Sequence, residues 1–216
     1  MSKPSPKSRP QALRQALQEQ TRAAYREAIL DAAEQVFLRE GFQSAKMVDV
    51  AETTGVSVGT LYNYFDSKEA VFLALAERHR TRYFAMLAEP FSSSSTIAQL
   101  QEFVDRTLGF VERNGALFAI YLRATTPWLD GAVPATPTMN PEEDQKRYNA
   151  LLAKLFGDGI KRGDLRDDIS VKELVWALHS LLNSAILDWV GSQGQKALVA
   201  HGRSLLQLFL QGASRK

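Results

Sequence analysis

Apolar residues recur at helical spacing along nearly the whole chain. Side chains three and four positions apart share one face of an α-helix, whereas a half-buried strand alternates polar and apolar residues. Ala24, Ala28, Ala32 and Val36 form an early stripe of this kind, which stops at Gly41. Strand-like segments do not alternate with the helical ones. The pattern therefore predicts an all-α fold.

Turn and capping residues set the expected limits of the helices in the first half. Two short helices, at about 47–54 and 57–64, are predicted on either side of Gly55. Asp66 is the expected N-cap of a long helix, because Glu69 three residues later completes a capping box. The polar stretch FSSSST that follows this helix predicts a hinge between two domains.

Five further helices are predicted in the second half. Asn140 and Pro141 mark the start of one, and Ser170 with Glu173 forms a second capping box. The last helix has no clean polar face in its C-terminal half, so it must be covered from more than one direction. Burial within one chain would achieve this, but a dimer interface is the interpretation we favour. The five helices are expected at about 96–113, 115–126, 141–163, 171–190 and 195–211.

Positive charge is concentrated at the N-terminal end. Residues 1–26 carry a net charge of +5, whereas the remainder carries −3. We expect residues 1–20 to form a basic, disordered arm and the first helix to begin near residue 20. A basic arm on a nearly neutral body suggests a polyanion such as DNA as a partner, with a merely solvated tail as the alternative.

The composition limits the class of protein. A chain of 216 residues with 45% hydrophobic residues can bury a substantial core. It has no cysteine, which excludes disulfides, thiolate metal sites and cysteine nucleophiles. No apolar run reaches the length of a membrane span, and the start MSKPSPKSRPQALRQ does not resemble a signal peptide. We expect a soluble cytoplasmic protein with no membrane partner.

Ser57 lies in the stretch GVSVG, which matches the G-x-S-x-G pattern of serine hydrolases. The nucleophile elbow of those enzymes requires a strand that runs into a sharp turn. The preceding MVDVAETT is instead compatible with a helix, and Ser57 is well placed to cap the next one. Helix, glycine turn and helix form the helix-turn-helix plan, whose second helix enters the DNA major groove.

A helical wheel of this second helix separates a core side from a polar side. Leu61 and Phe65 lie close together on the side expected to be buried. Small or polar residues on the other side allow close approach to base edges, and two flanking tyrosines can reach phosphates. These residues are Gly59, Thr60 and Asn63, flanked by Tyr62 and Tyr64.

Two longer stretches extend the motif: ILDAAEQVFLREGF at 29–42 and VAETTGVSVGTLYNYFDSKEAV at 50–71. Together with the order of the helices around them, they make residues 23–84 resemble the DNA-binding domain of the tetracycline-repressor (TetR) family of bacterial transcription regulators. The resemblance implies a homodimer on an operator with two half-sites, and a phosphate contact from Lys68. By matching position, the recognition helix carries Ser57, Val58, Gly59, Thr60, Tyr62, Asn63 and Tyr64.

The chain departs from this family just before the first short helix. The family commonly has a pair of hydroxyl residues there and often an arginine soon after, whereas this chain has Ala45, Lys46 and Val48. A capping hydroxyl and its phosphate contact are therefore missing. We assign that contact to Lys46, or to Ser44 if the helix begins earlier, and the basic arm is a candidate for compensating contacts.

The resemblance also implies how the domains are organised. A DNA-binding domain at 21–84 would follow the arm at 1–20, and the long helix would join it to a domain at 92–214. This C-terminal domain would bind a small-molecule effector and dimerise through the helices at about 171–190 and 195–211.

Aromatic residues of the second half, with two polar residues on an apolar helix, are candidates for lining a cavity for an apolar or aromatic effector. The three histidines are far apart and form no metal-ligand pattern, and no glycine pattern typical of a nucleotide cofactor occurs. We therefore expect neither a metal nor a cofactor. The candidate effector residues are Phe110, Phe118, Tyr121, Trp128, Trp176, His179 and Asn183.

The predicted function is sequence-specific transcriptional regulation rather than catalysis. We expect a homodimeric repressor that binds double-stranded operator DNA and is released by a small molecule. The alternatives are a helical protein-interaction module and a serine hydrolase that uses Ser57. Activation instead of repression also stays open, because a DNA-binding motif does not determine the sign of regulation.

Overall fold

A computed structural model describes residues 9–115, 141–192 and 194–213. This part of the chain consists of helices and the turns between them, which confirms the all-α prediction. The helix predicted at 115–126 lies outside the described residues. The described helices are α1 (Arg9–Glu40), α2 (Met47–Thr54), α3 (Val58–Tyr62), α4 (Lys68–Ala88), α5 (Thr96–Arg113), α6 (Pro141–Arg162), α7 (Val171–Gly191) and α8 (Leu198–Ala213).

The chain divides into two compact units, Met1–Ala76 and Glu77–Lys216. The division falls inside α4, earlier in the chain than the predicted end of the DNA-binding domain at residue 84. Both units therefore contain residues of this one helix. Among the described residues, none of the helices combines the length and the apolar character that crossing a lipid bilayer requires.

An apolar core holds the first unit together. The rings of Phe37, Phe42 and Phe72 pack against one another, with centroids 5.1 to 6.5 Å apart. The C-terminal part of α1 contributes one face to this core, and α3 contributes the fully buried Leu61. Because five residues make little more than one turn, α3 depends on this packing rather than on its own helix propensity.

The first helix begins at Arg9, so the predicted disordered arm is helical from that residue onward. The stretch QALRQALQEQTRAA is rich in strong helix formers, which explains the extension. Residues 13–28 are all exposed, including Ala24 and Ala28 of the predicted stripe, so this part of the helix contributes to no core. The prediction of disorder up to residue 20 is therefore wrong from residue 9 onward.

The N-cap of α4 is Ser67 rather than the predicted Asp66. The Ser67 hydroxyl accepts a hydrogen bond from the backbone N–H of Ala70 at 3.1 Å, three residues further on. Asp66 and Ser67 are both good N-cap residues, and the capping-box pattern favoured Asp66, which was the wrong choice. The capping box predicted for α7 is confirmed, because Ser170 accepts from the Glu173 N–H at 3.3 Å and donates its own N–H to the Glu173 carboxylate at 2.9 Å.

In the second unit, α5 packs on α6 and α8, and α7 also packs on both of these helices. Leu100, Phe103 and Leu108 of α5 are fully buried in the shared apolar core. Gly202 of α8 permits a close approach to α5, since a Cβ atom at this position would lie 1.9 Å from Cδ1 of Leu108. Side-chain size at this crossing therefore limits how closely the two helices pack.

The stretch FSSSST, predicted to be an interdomain hinge, lies within the second unit and is hydrogen-bonded to α5. Ser92 donates its N–H and its hydroxyl to the Glu102 carboxylate, at 2.9 and 2.7 Å. The Arg106 guanidinium donates to the carbonyls of Glu89 and Pro90, both at 2.9 Å. These tertiary hydrogen bonds hold in place a polar loop whose composition alone is typical of a flexible segment.

Candidate nucleic-acid interface and effector site

The turn between α2 and α3 is built by Gly55 and Ser57. Gly55 adopts a left-handed conformation with φ of 78°, and its N–H donates to the Ala51 carbonyl at 2.9 Å, which ends α2. The Ser57 hydroxyl accepts from the Thr60 N–H at 3.0 Å and lies 2.8 Å from the Thr60 hydroxyl. Ser57 is therefore the N-cap of α3, as predicted, and helix rather than a strand precedes its turn. The nucleophile elbow that the hydrolase alternative needs is not formed.

The exposed face of α3 is small or polar. Leu61 and Phe65 are buried, as the helical wheel predicted. Gly59 and Asn63 are exposed, and the side chain of Tyr62 is 48% exposed. Such a face can approach base edges closely, while a protruding hydroxyl reaches the backbone.

Tyr64 follows the end of α3 and packs against α1. Its ring stacks on that of Tyr25, with centroids 6.0 Å apart. The neighbouring Arg26 guanidinium lies 4.3 Å from the centroid of the Phe65 ring. Sequence reasoning missed Tyr25, because it lies in an exposed helical stretch with no apolar pattern to draw attention to it.

Lys46 is the N-cap of α2, and its side chain is exposed. Its backbone N–H donates to the Asp49 carboxylate at 3.0 Å, which is the carboxylate half of a capping box, although the N-cap residue has no hydroxyl for the other half. The side-chain ammonium group takes no part in that backbone bond. Because α2 begins at Met47, Ser44 is too early to cap it.

Lys68 is bonded to the loop that precedes α2. Its Nζ atom donates to the carbonyls of Gln43 and Ala45, both at 3.0 Å, and lies 4.8 Å from the centroid of the Phe42 ring. An ammonium group has three N–H donors, so these two bonds leave one for another acceptor. The structure thus gives Lys68 a role in positioning the loop that the sequence did not predict.

Phe110 belongs to an aromatic cluster in the second unit. Its ring centroid lies 5.2 Å from that of Tyr83 and 6.3 Å from that of His79. The Tyr83 hydroxyl is 3.4 Å from the Thr107 hydroxyl. Burial raises the pKa of the Tyr83 phenol, so this group stays neutral near physiological pH and offers an O–H donor.

His179 and Asn183 lie on α7, and His179 lies beside Tyr148, whereas Asn183 is exposed. The side chains of His179 and Asn183 are joined by a hydrogen bond of 2.9 Å, and the rings of His179 and Tyr148 have centroids 5.3 Å apart. Burial lowers the pKa of His179 and raises that of Tyr148, so both groups are uncharged at neutral pH. The two partly buried tyrosines, Tyr83 and Tyr148, were missed because a tyrosine at helical spacing resembles any other core residue in the sequence.

Trp176 does not belong to this cluster. It is 71% exposed, so within one chain it cannot line an internal cavity as predicted. The reason is its position on α7, directly after the buried Leu174 and Val175, which turns its side chain away from the core. Phe118, Tyr121 and Trp128 lie outside the described residues. Within the described ranges, no group of three or more acidic or histidine side chains is arranged to hold a metal ion.

A short helix, a glycine turn and a second helix with a small, polar exposed face define a helix-turn-helix DNA-binding protein. Residues 29–75 match the family model described as bacterial regulatory proteins, tetR family. The match to this model and the likeness to curated regulators support a TetR-family transcriptional regulator.

Relatives of the chain are similar to it over most of its length. The fatty acid metabolism regulator protein of Bacillus subtilis (strain 168) is 23% identical over 87% of this chain and 95% of its own length. The transcriptional repressor BepR of Brucella suis biovar 1 is 24% identical over 88% of this chain and 91% of its own. The crystal structure of FadR from Bacillus subtilis in complex with stearoyl-CoA superimposes with a TM-score of 0.65, at 20% identity, covering 86% of this chain and 98% of that one.

Proposed function

We propose that the chain acts as a homodimeric repressor that binds an operator through α3 and leaves it when a small molecule binds to the second unit. The observation that carries this proposal is the exposed face of α3, which is small and polar although the helix is anchored by a fully buried leucine. A dimer would present two such helices to half-sites about 34 Å apart. The repressor named among the relatives supports repression as the sign of regulation.

The contacts to DNA fall into two groups in this proposal. Base edges would be contacted by the exposed side of α3, and phosphates by hydroxyl and ammonium groups at its borders. The first group comprises Val58, Gly59, Thr60 and Asn63, and the second comprises Lys46, Tyr62, Tyr64 and the remaining donor of Lys68. Ser57 acts through its cap, which fixes where α3 begins.

The DNA contacts are tested with an electrophoretic shift of the DNA upstream of the chain's own coding sequence. We expect Asn63→Ala to weaken binding about 10- to 100-fold, since a good base contact contributes roughly 1–3 kcal/mol. Asn149→Ala on α6 is the matched control, because the Asn149 side chain accepts a hydrogen bond from Gln145 in the preceding turn of the same helix. Equal affinity of both variants, or a wild-type protein that shifts no DNA at low salt, would contradict the proposal.

Support for the dimer comes from the exposed faces of α7 and α8. Trp176 and Leu187 on α7 are exposed, and Leu208 on α8 is 64% exposed. Large apolar side chains grouped on adjacent helices are typical of protein interfaces. We expect Leu208→Glu to lower the molar mass measured by light scattering to that of one chain. Leu38→Glu places the same charge on an equally open position of α1 and should leave the mass unchanged.

The effector, in this proposal, is a largely apolar molecule with at least one hydrogen-bond acceptor. Aromatic rings supply the apolar surface, and the neutral Tyr83 and Tyr148 phenols with the His179–Asn183 pair supply polar groups. Acyl-CoA is one class to test, since stearoyl-CoA is bound in a solved relative. Release of the DNA by stearoyl-CoA, but not by coenzyme A alone, would support this class. An affinity for DNA that no metabolite changes would leave DNA binding intact and remove the effector.

A further inference from the structure

We propose that the N-terminal part of α1, residues 9–28, is a second DNA-binding element that contacts phosphates beside the site occupied by α3. The inference rests on the proposed function, because it extends the same interface. Residues 13–28 are all exposed, so this part of the helix contributes nothing to the core that holds the first unit together. Its side chains are therefore available for a partner.

The extension is continuous with the DNA-binding motif. Tyr25 stacks on Tyr64, which directly follows the recognition helix. Beside this contact lies an open groove of about 330 Å³, lined by Leu17, Gln18, Thr21 and Arg22 of α1 together with Tyr64. A backbone held by Tyr64 would therefore pass next to the extension.

The charge on this side of the helix fits a polyanion. At 100° per residue, Arg14, Gln18 and Arg22 lie within an arc of roughly 80° on α1. Within the part of the chain that the structure describes, Arg14 and Arg22 form no ion pair, and both are exposed. They are separated by about 12 Å along the helix axis, the axial distance over which one DNA strand presents three to four phosphates.

The guanidinium groups fit phosphate geometry better than an apolar partner. Arginine donates two parallel N–H bonds to a phosphate, and the Gln18 amide adds a neutral donor between the two charges. Leu13 and Leu17 are also exposed, and a second copy of the chain is the other partner that such side chains would accept. We assign the surface to DNA because residues 9–28 carry four arginines against two glutamates, a net charge of +2.

The test compares double variants on the DNA upstream of the chain's own coding sequence, over a range of salt concentrations. Loss of two phosphate contacts in Arg14→Gln/Arg22→Gln should lower the slope of log K against log[salt] by about 1.8. The region protected from hydroxyl radicals should also become shorter. Arg14→Lys/Arg22→Lys keeps both charges and should retain the wild-type slope.

A charge-matched control separates this contact from a general change in net charge. Lys146→Gln/Lys154→Gln removes two exposed positive charges from α6 and should leave the slope unchanged. Normal binding with a wild-type slope in Arg14→Gln/Arg22→Gln would overturn the inference, and so would a change confined to molar mass, which would assign the surface to a second copy. A wild-type protein that binds no DNA would instead overturn the proposed function itself.

Discussion

The helices α3 and α7 expose opposite kinds of surface. α3 buries one leucine and exposes Val58, Gly59 and Tyr62, with the exposed Asn63 as its C-cap, whereas α7 buries seven residues and still exposes Trp176 and Leu187. A small, polar face suits the groove of a polyanion, because backbone and base edges must come close. A broad apolar face suits another protein, because its exposure to water is costly. An α-helix can thus suit either kind of partner, depending on which of its side chains are exposed.

The interiors of the two units differ in the same way. The first unit is filled with aliphatic and phenylalanine side chains. The second also encloses the phenols of Tyr83 and Tyr148 and the half-buried His179. Polar groups inside a helical core reduce its stability unless they are hydrogen-bonded. Their presence is understandable where a ligand with matching groups is to be bound.

The largest expected effect concerns the single anchor of α3. Leu61→Ala should cost about 2–5 kcal/mol of unfolding free energy, since Leu61 is fully buried and no other residue of α3 reaches the core. Urea unfolding measures this loss. Val58→Ala truncates an exposed residue of the same helix and should change stability little. Equal losses would show that α3 is not held by one residue, and the contrast with α7 would fail.

Packing in the second unit is tested at Gly202. Gly202→Ala should cost about 1–3 kcal/mol, because the new Cβ would meet the Leu108 side chain and push α8 away from α5. Gly212→Ala on the same helix has open space around it and should be neutral or slightly stabilising. Thermal unfolding monitored by circular dichroism distinguishes the two. If Gly202→Ala were as stable as the wild type, α5 and α8 would not be closely packed.

A smaller loss of stability is expected at Lys68, where the same substitution also tests whether the residue contacts DNA. Lys68→Met should cost about 1 kcal/mol of stability, because the two carbonyl bonds are lost at a partly exposed site. The salt slope of DNA binding should also fall by about 0.9 if the remaining N–H donates to a phosphate. A loss of stability with an unchanged slope would assign Lys68 to positioning the loop alone.

The smallest effect is a pH dependence in the second unit. Burial lowers the pKa of His179 below its ordinary value of 6.5, so the unfolded chain takes up a proton before the folded one does. The stability associated with neutral His179 is therefore present above pH 6.5 and is lost as pH falls through the lowered pKa. We expect His179→Gln to lose less stability than the wild type between pH 7 and pH 5, as measured by urea unfolding at both values. Parallel losses would show that His179 is not desolvated.

Much of the first unit could be predicted from the sequence because its signals are local. The limits of α2, the cap by Ser57 and the burial of Leu61 all follow from residues within one or two turns of each other. The start of α1 could not be predicted, since an exposed helix without a core face lacks the apolar stripe on which such predictions depend. The hydrogen bonds of Lys68 could not be predicted either, because their partners lie 23 and 25 positions earlier in the chain.

In the second unit, helix starts could be predicted from neighbouring residues, but the exposure of individual aromatic residues could not. Capping residues predicted where α6 and α7 begin, and the stripe on α7 predicted its buried face. No pattern of neighbouring residues could show that Trp176 would be exposed while Tyr148 packs against the core. Both are aromatic residues on amphipathic helices, and only the packing of neighbouring helices decides which one is covered.

The shortness of α3 limits how much information one subunit can extract from DNA. Its five residues rise about 7.5 Å, which matches roughly two base-pair steps of 3.4 Å. Two or three base pairs recur by chance many times in any genome. In the proposed dimer, selectivity would come from the fixed spacing of two half-sites and from flanking contacts. A change in the distance between the paired α3 helices would then change which DNA sites are bound without altering a base contact.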